Sequence, residues 1–210
     1  VAYSQLEEEK FILDFFKSHL PKDTFFCDVG AFDGMTFSNT RALYERGWSG
    51  ILIEPHPLAY KKLQALYIDD PQMSCLQYAA GDRVARGEFI DLMYPISNYG
   101  DLMLSSCNEK EKERWPHLKR WTGVTVPVIS LREVLDKHGR SPEFLSIDCE
   151  GMDIEVLESA CLVKSKTLPS LIMVEHNENR HLALSNADAI LKVFGYTCVY
   201  TNPINAAWTV

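Results

Sequence analysis

Phe25-Phe26-Cys27-Asp28-Val29-Gly30-Ala31-Phe32-Asp33-Gly34 is the stretch on which the fold turns. Its apolar run ends in Asp28, turns through Gly30 and Gly34, and opens into residues 35–46, which the pattern predicts to be helical. A strand that stops at a glycine turn and feeds a helix is how α/β folds let a small ligand approach backbone amides. A second apolar run, Gly50-Ile51-Leu52-Ile53, ends in Glu54. That acid falls about 20 residues downstream of the first turn, where a carboxylate can bind both hydroxyls of a ribose. The two runs together predict a nucleoside site at adjacent strand ends.

Outward from these runs, apolar periodicity and turn residues divide the rest of the chain. Ser4-Gln5-Leu6-Glu7 has the spacing of a capping box, and Phe11, Ile12, Phe15 and Phe16 recur at helical period, predicting a helix over 5–19 ended by Pro21. Strands are expected at 24–29, 50–54 and 73–79, with helices at 35–46 and 57–67; Gly81-Asp82 follows the third strand. Residues 84–129 break the rhythm. Strand-like runs at 87–94 and 125–129 enclose an irregular stretch, and an insertion this long suggests a lid or substrate wall, with a plain surface excursion as the alternative. Helices at 131–138, 152–161 and 184–194 then alternate with strands at 143–148 and 170–175, and closing strands at 196–200 and 206–210 pair antiparallel across a short turn. The reading is a single α/β domain over 1–210. It has a mostly parallel, doubly wound sheet of about seven strands, an antiparallel closing strand and helices on both faces.

Composition removes several classes of function. The 210 residues carry 29 acidic and 21 basic side chains, for a net charge of −8, which argues against binding to nucleic-acid backbones. The basic residues of 108–120 are interleaved with Glu109, Glu111 and Glu113, so that run reads as a solvated helix face. Apolar runs are too short for a membrane span, and Val1 to Glu9 lacks the basic-then-apolar pattern of a secretory signal. The expected location is cytoplasmic, although a chain opening on Val1 rather than Met leaves an upstream address open. The six cysteines, at 27, 75, 107, 149, 161 and 198, form no Cys-x-x-Cys pair. Cys27, Cys149 and Cys198 fall within expected strands, which fits a reduced compartment without structural zinc. A homodimer is common at this size, but no segment marks a contact surface.

With the elements placed, the chain resembles the FkbM family of S-adenosylmethionine-dependent methyltransferases. Four segments carry the likeness, in order: Asp28-Val29-Gly30-Ala31 with Asp33-Gly34 and Ser38-Asn39-Thr40; Gly47-Trp48 to Gly50 with Ile53-Glu54-Pro55; Val126-Pro127-Val128 with Leu131; and Leu145-Ser146-Ile147-Asp148 with Glu150-Gly151. The resemblance implies a Rossmann-like class I methyltransferase fold and a cofactor site that includes Ala31, Asp33 and Pro55. It also implies an acceptor such as a sugar, glycan or polyketide-type hydroxyl. Phe32 is a departure, because the family usually has a small polar residue there, often Asn or His, and the middle glycine of a G-x-G-x-G pattern is missing.

Methyl transfer from a sulfonium is a direct displacement, so positioning supplies most of the acceleration and no covalent intermediate is needed. Asp28 is placed to accept from the cofactor's amino group or to cap its own turn. Gly30 and Gly34 permit close backbone approach. Glu54 is the ribose ligand, with a solvated strand-end acid as the alternative. Asp82 either reaches the adenine amino group or closes a Gly-Asp turn. Ser38 and Thr36 either contact the cofactor carboxylate or cap the helix. Asp148, Glu150, Glu175, His176 and Asn177 fall at the far ends of two strands, beside the expected methyl. Two chemistries compete there: His176 or Asp148 as a general base, or Asp148, Glu175, His176 and Asn177 holding Mg2+. Glu150 is a catalytic candidate that a helix start would also explain. Trp115, Trp121, Tyr94 and Tyr99 are candidate flat faces for a sugar ring. An NAD-dependent oxidoreductase and a non-catalytic S-adenosylmethionine-binding module are the rival functions. The closing strand pair and the missing G-x-G-x-x-G fingerprint disfavour the first, and only Phe32 favours the second.

Overall fold

The computed structural model describes residues 2–18, 24–160, 162, 168–176 and 180–210. Helix α1 (Glu8–Phe15) precedes β1 (Phe25–Val29), which is buried along its whole length and paired on both sides. Then come α2 (Arg41–Tyr44), β2 (Ser49–Ile53), α3 (Pro57–Leu66) and β3 (Met73–Leu76). The rhythm breaks at β4 (Ala79–Ala80), α4 (Arg83–Arg86), β5 (Phe89–Pro95), two 3-10 segments, Gly100–Leu104 and Glu109–Arg114, and β6 (Trp121–Ile129). It resumes with α5 (Leu131–His138), β7 (Phe144–Ile147), α6 (Asp153–Ser159), β8 (Leu171–Glu175) and α7 (Arg180–Lys192), and closes with β9 (Thr197–Thr201) and β10 (Asn205–Thr209).

The main sheet has seven strands in the order β3-β2-β1-β7-β8-β10-β9. The first five are mutually parallel, and β10 runs antiparallel between β8 and β9. Alternation along the strands feeds two cores. Phe25, Cys27, Val29, Ile53, Leu145 and Val174 pack beneath α5, α6 and α7, while Phe26, Leu52, Phe144 and Met173 pack beneath α1, α2 and α3. Strand order reverses at β1: the chain runs outward through β2 to β3, then returns to place β7 and β8 on the other side of β1. The carboxyl ends of β1 and β7 therefore open a crevice, the place where such sheets bind ligands. Residues 89–129 build an arm on this crevice: β5 and β6 pair antiparallel from Phe89↔Pro127 to Pro95↔Trp121, and β4 joins β6 in parallel.

Several local expectations are corrected. The capping box at Ser4–Glu7 does not form, because Ser4 Oγ accepts from Glu9 N at 3.0 Å and the Glu8 carboxylate accepts from Leu6 N at 2.8 Å. A capping box does close α5, where Ser130 and Glu133 bond reciprocally and Gly139 ends the helix at φ +84. Helix α1 ends at Phe15 rather than near 19; Pro21 and Cys161 lie outside the described residues. The helix expected at 35–46 shrinks to Arg41–Tyr44 because polar side chains take the backbone donors first. The Asp33 carboxylate accepts from Met35 N and Thr36 N, Ser38 Oγ accepts from Arg41 N, and Phe37 sits at φ +55. The third strand splits after Leu76, and its last residues join the arm instead. Nor is 108–120 simply a solvated face, since Glu111 is buried and pairs with Arg114. Cys149 lies just beyond β7 rather than inside a strand, and Cys198 is exposed on β9.

Candidate functional site

The crevice is lined at its base by the ends of β1, β2 and β7: Asp28, Gly30, Ala31, Glu54, Pro55 and Asp148 all face it. Gly30 adopts φ +86, and a Cβ built there would lie 1.7 Å from the carbonyl oxygen of Asp148, so only glycine fits between the two strand tips. The turn does not offer its amides to a ligand as expected. Gly30 N and Ala31 N both donate to Ile53 O, at 2.9 and 3.1 Å, Phe32 N donates to Glu54, and Gly34 N donates to Ala31 O. At the strand tips, bare glycine surface and carboxylates face the crevice.

Two acids are held from behind. Asp28 Oδ2 accepts from Thr40 Oγ1 at 2.6 Å, and burial pushes its carboxyl up to about 6. Glu54 receives two backbone donors, Phe32 N at 2.9 Å and His56 N at 2.6 Å, one on each oxygen. Burial still raises it to about 8, with the nearby charges of Asp28 and Asp33 adding to the effect. Each Glu54 oxygen keeps a free acceptor direction, so the backbone orients this carboxylate without using it up. The grip on Phe32 holds that residue at φ +49, a region in which Asn is far more at ease than Phe. Its ring is buried against Tyr99, at 5.2 Å between centroids, and packs with Ala59 and Leu102.

Beyond β7 and β8 lies the acidic group. Asp148, Glu150 and Glu175 each bring a carboxylate oxygen within 4.8 Å of the others. Burial is the main cause that pushes Asp148 up to about 7 and holds Glu150 and Glu175 well above the usual carboxylate range, and mutual repulsion adds to it. The turn that presents Glu150, itself at φ +47, is fastened by Asp153, whose carboxylate accepts from Cys149 N at 2.7 Å and Gly151 N at 3.1 Å. The arm fastens it from above. Ser106 Oγ donates to Glu150 O at 2.6 Å, and Arg114 Nη1 lies 2.5 Å from Glu111 Oε2 and 3.4 Å from Glu150 Oε2.

Not every expected residue joins the crevice. Ser38 and Thr36 line it, but Asp33 serves the turn at 35–36. Gly34 instead leaves room for α3, since a Cβ there would approach Leu63 Cδ1 to 2.8 Å. Asp82 is absent from the lining residues; its N donates to Glu155 Oε1 at 3.2 Å and its carboxylate accepts from Ala85 N at the start of α4. His176 is 2% exposed and lies outside both the lining and the acidic group, and Asn177 falls outside the described residues. The four aromatics do not line it either. Tyr99 packs on Phe32 and beneath Lys62, Tyr94 on His56, and Trp115 near His117, fastening the arm to its own chain. The arm contributes Leu92, Leu102, Met103, Ser105 and Cys107 to the wall. Residues without a role in the sequence reading, Thr40, Glu111 and Arg114, hold the site in place. Thr40 stood in a quoted motif, but no local pattern marked Arg114.

A mostly parallel seven-stranded sheet, closed by an antiparallel pair and carrying a carboxylate-lined crevice at its switch point, is the class I methyltransferase fold. The chain belongs to the methyltransferase FkbM domain family, which matches residues 28–198. Among solved structures it is similar to methyltransferase FkbM from Methylobacillus flagellatus KT, at 16% identity and a TM-score of 0.56 over 89% of this chain and 43% of that one. The METTL16 methyltransferase domain aligns at 10% identity and a TM-score of 0.53, over 98% of this chain and 67% of that one. Precorrin-6y C5,15-methyltransferase from Geobacter metallireducens GS-15 aligns at 13% identity and a TM-score of 0.50, over 100% and 93%. These likenesses show the fold, and the chain spans less than half the length of the Methylobacillus protein. No curated protein matches it in sequence. Among the described residues, no helix is long and apolar enough to cross a membrane.

Proposed function

We propose that this chain is an S-adenosylmethionine-dependent O-methyltransferase acting on a hydroxyl of a sugar, glycan or secondary metabolite. The observation that carries the reading is that Asp28, Gly30, Glu54 and Asp148, from three adjacent strand tips, face one crevice. The residues fit the cofactor's chemistry. Glu54, oriented by two backbone donors, takes the ribose hydroxyls; Gly30 admits the nucleoside against bare backbone; Asp28, with Ser38 and Thr36, faces the amino-acid end. Bound S-adenosylmethionine supplies a methyl on a cationic sulfonium, and a crevice lined by carboxylates favours that charge.

The chain's own residues then align and deprotonate the acceptor. Asp148, which lines the crevice, orients the acceptor hydroxyl. The hydroxyl proton passes to a carboxylate of the acidic group as the oxygen attacks the methyl carbon and the carbon–sulfur bond breaks, leaving S-adenosylhomocysteine. His176, buried away from the lining, is not assigned that task. The apolar arm residues Leu92, Leu102 and Met103 exclude water from the methyl. Calorimetry with S-adenosylhomocysteine, set against NAD, tests the reading. Binding of the first and not the second is expected, with loss of binding in Glu54→Ala, whereas NAD binding alone would replace it with hydride transfer.

A further inference from the structure

Acidic clusters are common without a ligand, so Asp148, Glu150 and Glu175 alone assign nothing. Two atoms beside them do. Glu175 is more than nine-tenths buried, and its Oε2 has no hydrogen-bond donor among the described residues although its carboxyl group sits inside the cluster. Asn205 lies directly opposite Glu175 in the β8–β10 register, so the two side chains leave the same face of the sheet. Asn205 is 3% exposed, and its Nδ2 donates to Glu8 Oε1 at 3.0 Å, which settles which end of the amide is oxygen. That oxygen, Oδ1, is also buried without a donor among the described residues.

Three carboxylates thus cluster, Asn205 stands across the β8–β10 pair from one of them, and Glu175 Oε2 and Asn205 Oδ1 have no donor among the described residues. A buried acceptor left unmatched is costly, and hard oxygen ligands of this mix suit a divalent cation. Arg114 does not fill these acceptors: its Nη1 is shared between Glu111 and Glu150, and its buried Nε has no acceptor among the described residues.

We propose that Asp148, Glu150, Glu175 and Asn205 form a site for one hard divalent cation, Mg2+ or Mn2+. The proposal deepens the methyltransferase reading and rests on it for its purpose, since Asp148 and Glu150 line the crevice while Glu175 and Asn205 stand behind its wall, so that a cation there would reach the acceptor from the side of these two acids. It also moves the amide ligand from Asn177, the sequence neighbour of this cluster, to Asn205, its partner across the sheet.

Mn2+ titration of the whole chain without cofactor, followed by calorimetry and by the thermal midpoint, tests the site. One Mn2+ per chain and a midpoint that rises with Mn2+ are expected. Glu175→Gln and Asn205→Leu should each weaken Mn2+ by about tenfold or more, with circular dichroism reporting that the variants fold. No Mn2+ binding by the unaltered chain at millimolar metal overturns the proposal, as does binding that folded Glu175→Gln and Asn205→Leu leave unchanged. S-adenosylhomocysteine binding, measured in chelator and in Mn2+, separates the two readings. Mn2+ bound without S-adenosylhomocysteine supports the cation site and removes the methyltransferase assignment, and the reverse pattern removes the cation site alone.

Discussion

The α-carbon of Gly30 faces the carbonyl oxygen of Asp148 so closely that a single methyl group there would sit 1.7 Å from it. Asp148 N donates to Val29 O at 2.9 Å just before this contact, so β1 and β7 stay paired up to the point where their chains diverge. That contact fixes the spacing between Asp28 on one tip and Asp148 on the other.

Gly30→Ala should therefore be among the most damaging single changes in the chain. It combines a positive φ with a backbone collision and is expected to cost more than about 3 kcal/mol, or to prevent folding. Gly87→Ala is the control. Gly87 has φ +80, but an added methyl group would meet nothing within 4 Å, so only the conformational cost of about 1 kcal/mol applies. Urea unfolding of both variants separates steric from dihedral strain, and equal costs would refute the contact.

Glu54 predicts a pH dependence. Burial raises its carboxyl from 4.5 to about 8, so its contribution to stability is fully present below 4.5 and is lost as pH rises through 8. Ribose hydroxyls donate to the ionised form, so S-adenosylhomocysteine binding at neutral pH should expel a proton. Binding heats measured in two buffers of different ionisation enthalpy should differ for the unaltered chain and agree for Glu54→Gln.

Phe32→Asn sets two effects against each other. Asn tolerates φ +49 better, but the change removes a ring packed against Tyr99 and Leu102. Losing a buried aromatic is worth about 3 kcal/mol, more than the roughly 1 kcal/mol of backbone relief. A net loss of stability is expected, and amide exchange should quicken first in the 3-10 segment at 100–104, which rests on that ring.

Asp82→Ala provides the opposite case. Its carboxylate serves Ala85 N outside the crevice, so S-adenosylhomocysteine affinity should stay within about twofold of the unaltered chain, while stability falls by about 1 kcal/mol or less. A large loss of affinity would place adenine against α4 after all.

Much of the architecture was legible because it is written locally. Leu131–His138 matches its expected bounds, since apolar period, capping residues and a terminal glycine all lie within one short window. The stretch at 35–46 misled because Asp33, Ser38 and Thr40 spend their side chains on nearby backbone donors or on Asp28, a competition that helical periodicity does not register. The acids at 28, 54 and 148 were readable as strand tips. Their surroundings were not, and those surroundings push all three upward in pKa.

From the sequence alone came the alternation of strand and helix, the glycine turn, the order of the acid-bearing tips and the family likeness, because each rests on contacts between residues close in the chain. The tertiary structure alone decided which side chains meet. It inserted β10 between β8 and β9, bringing Asn205 opposite Glu175, and it folded the arm so that Arg114 reaches Glu150. Those meetings span about 30 residues or more and depend on strand register and packing, which no local periodicity encodes.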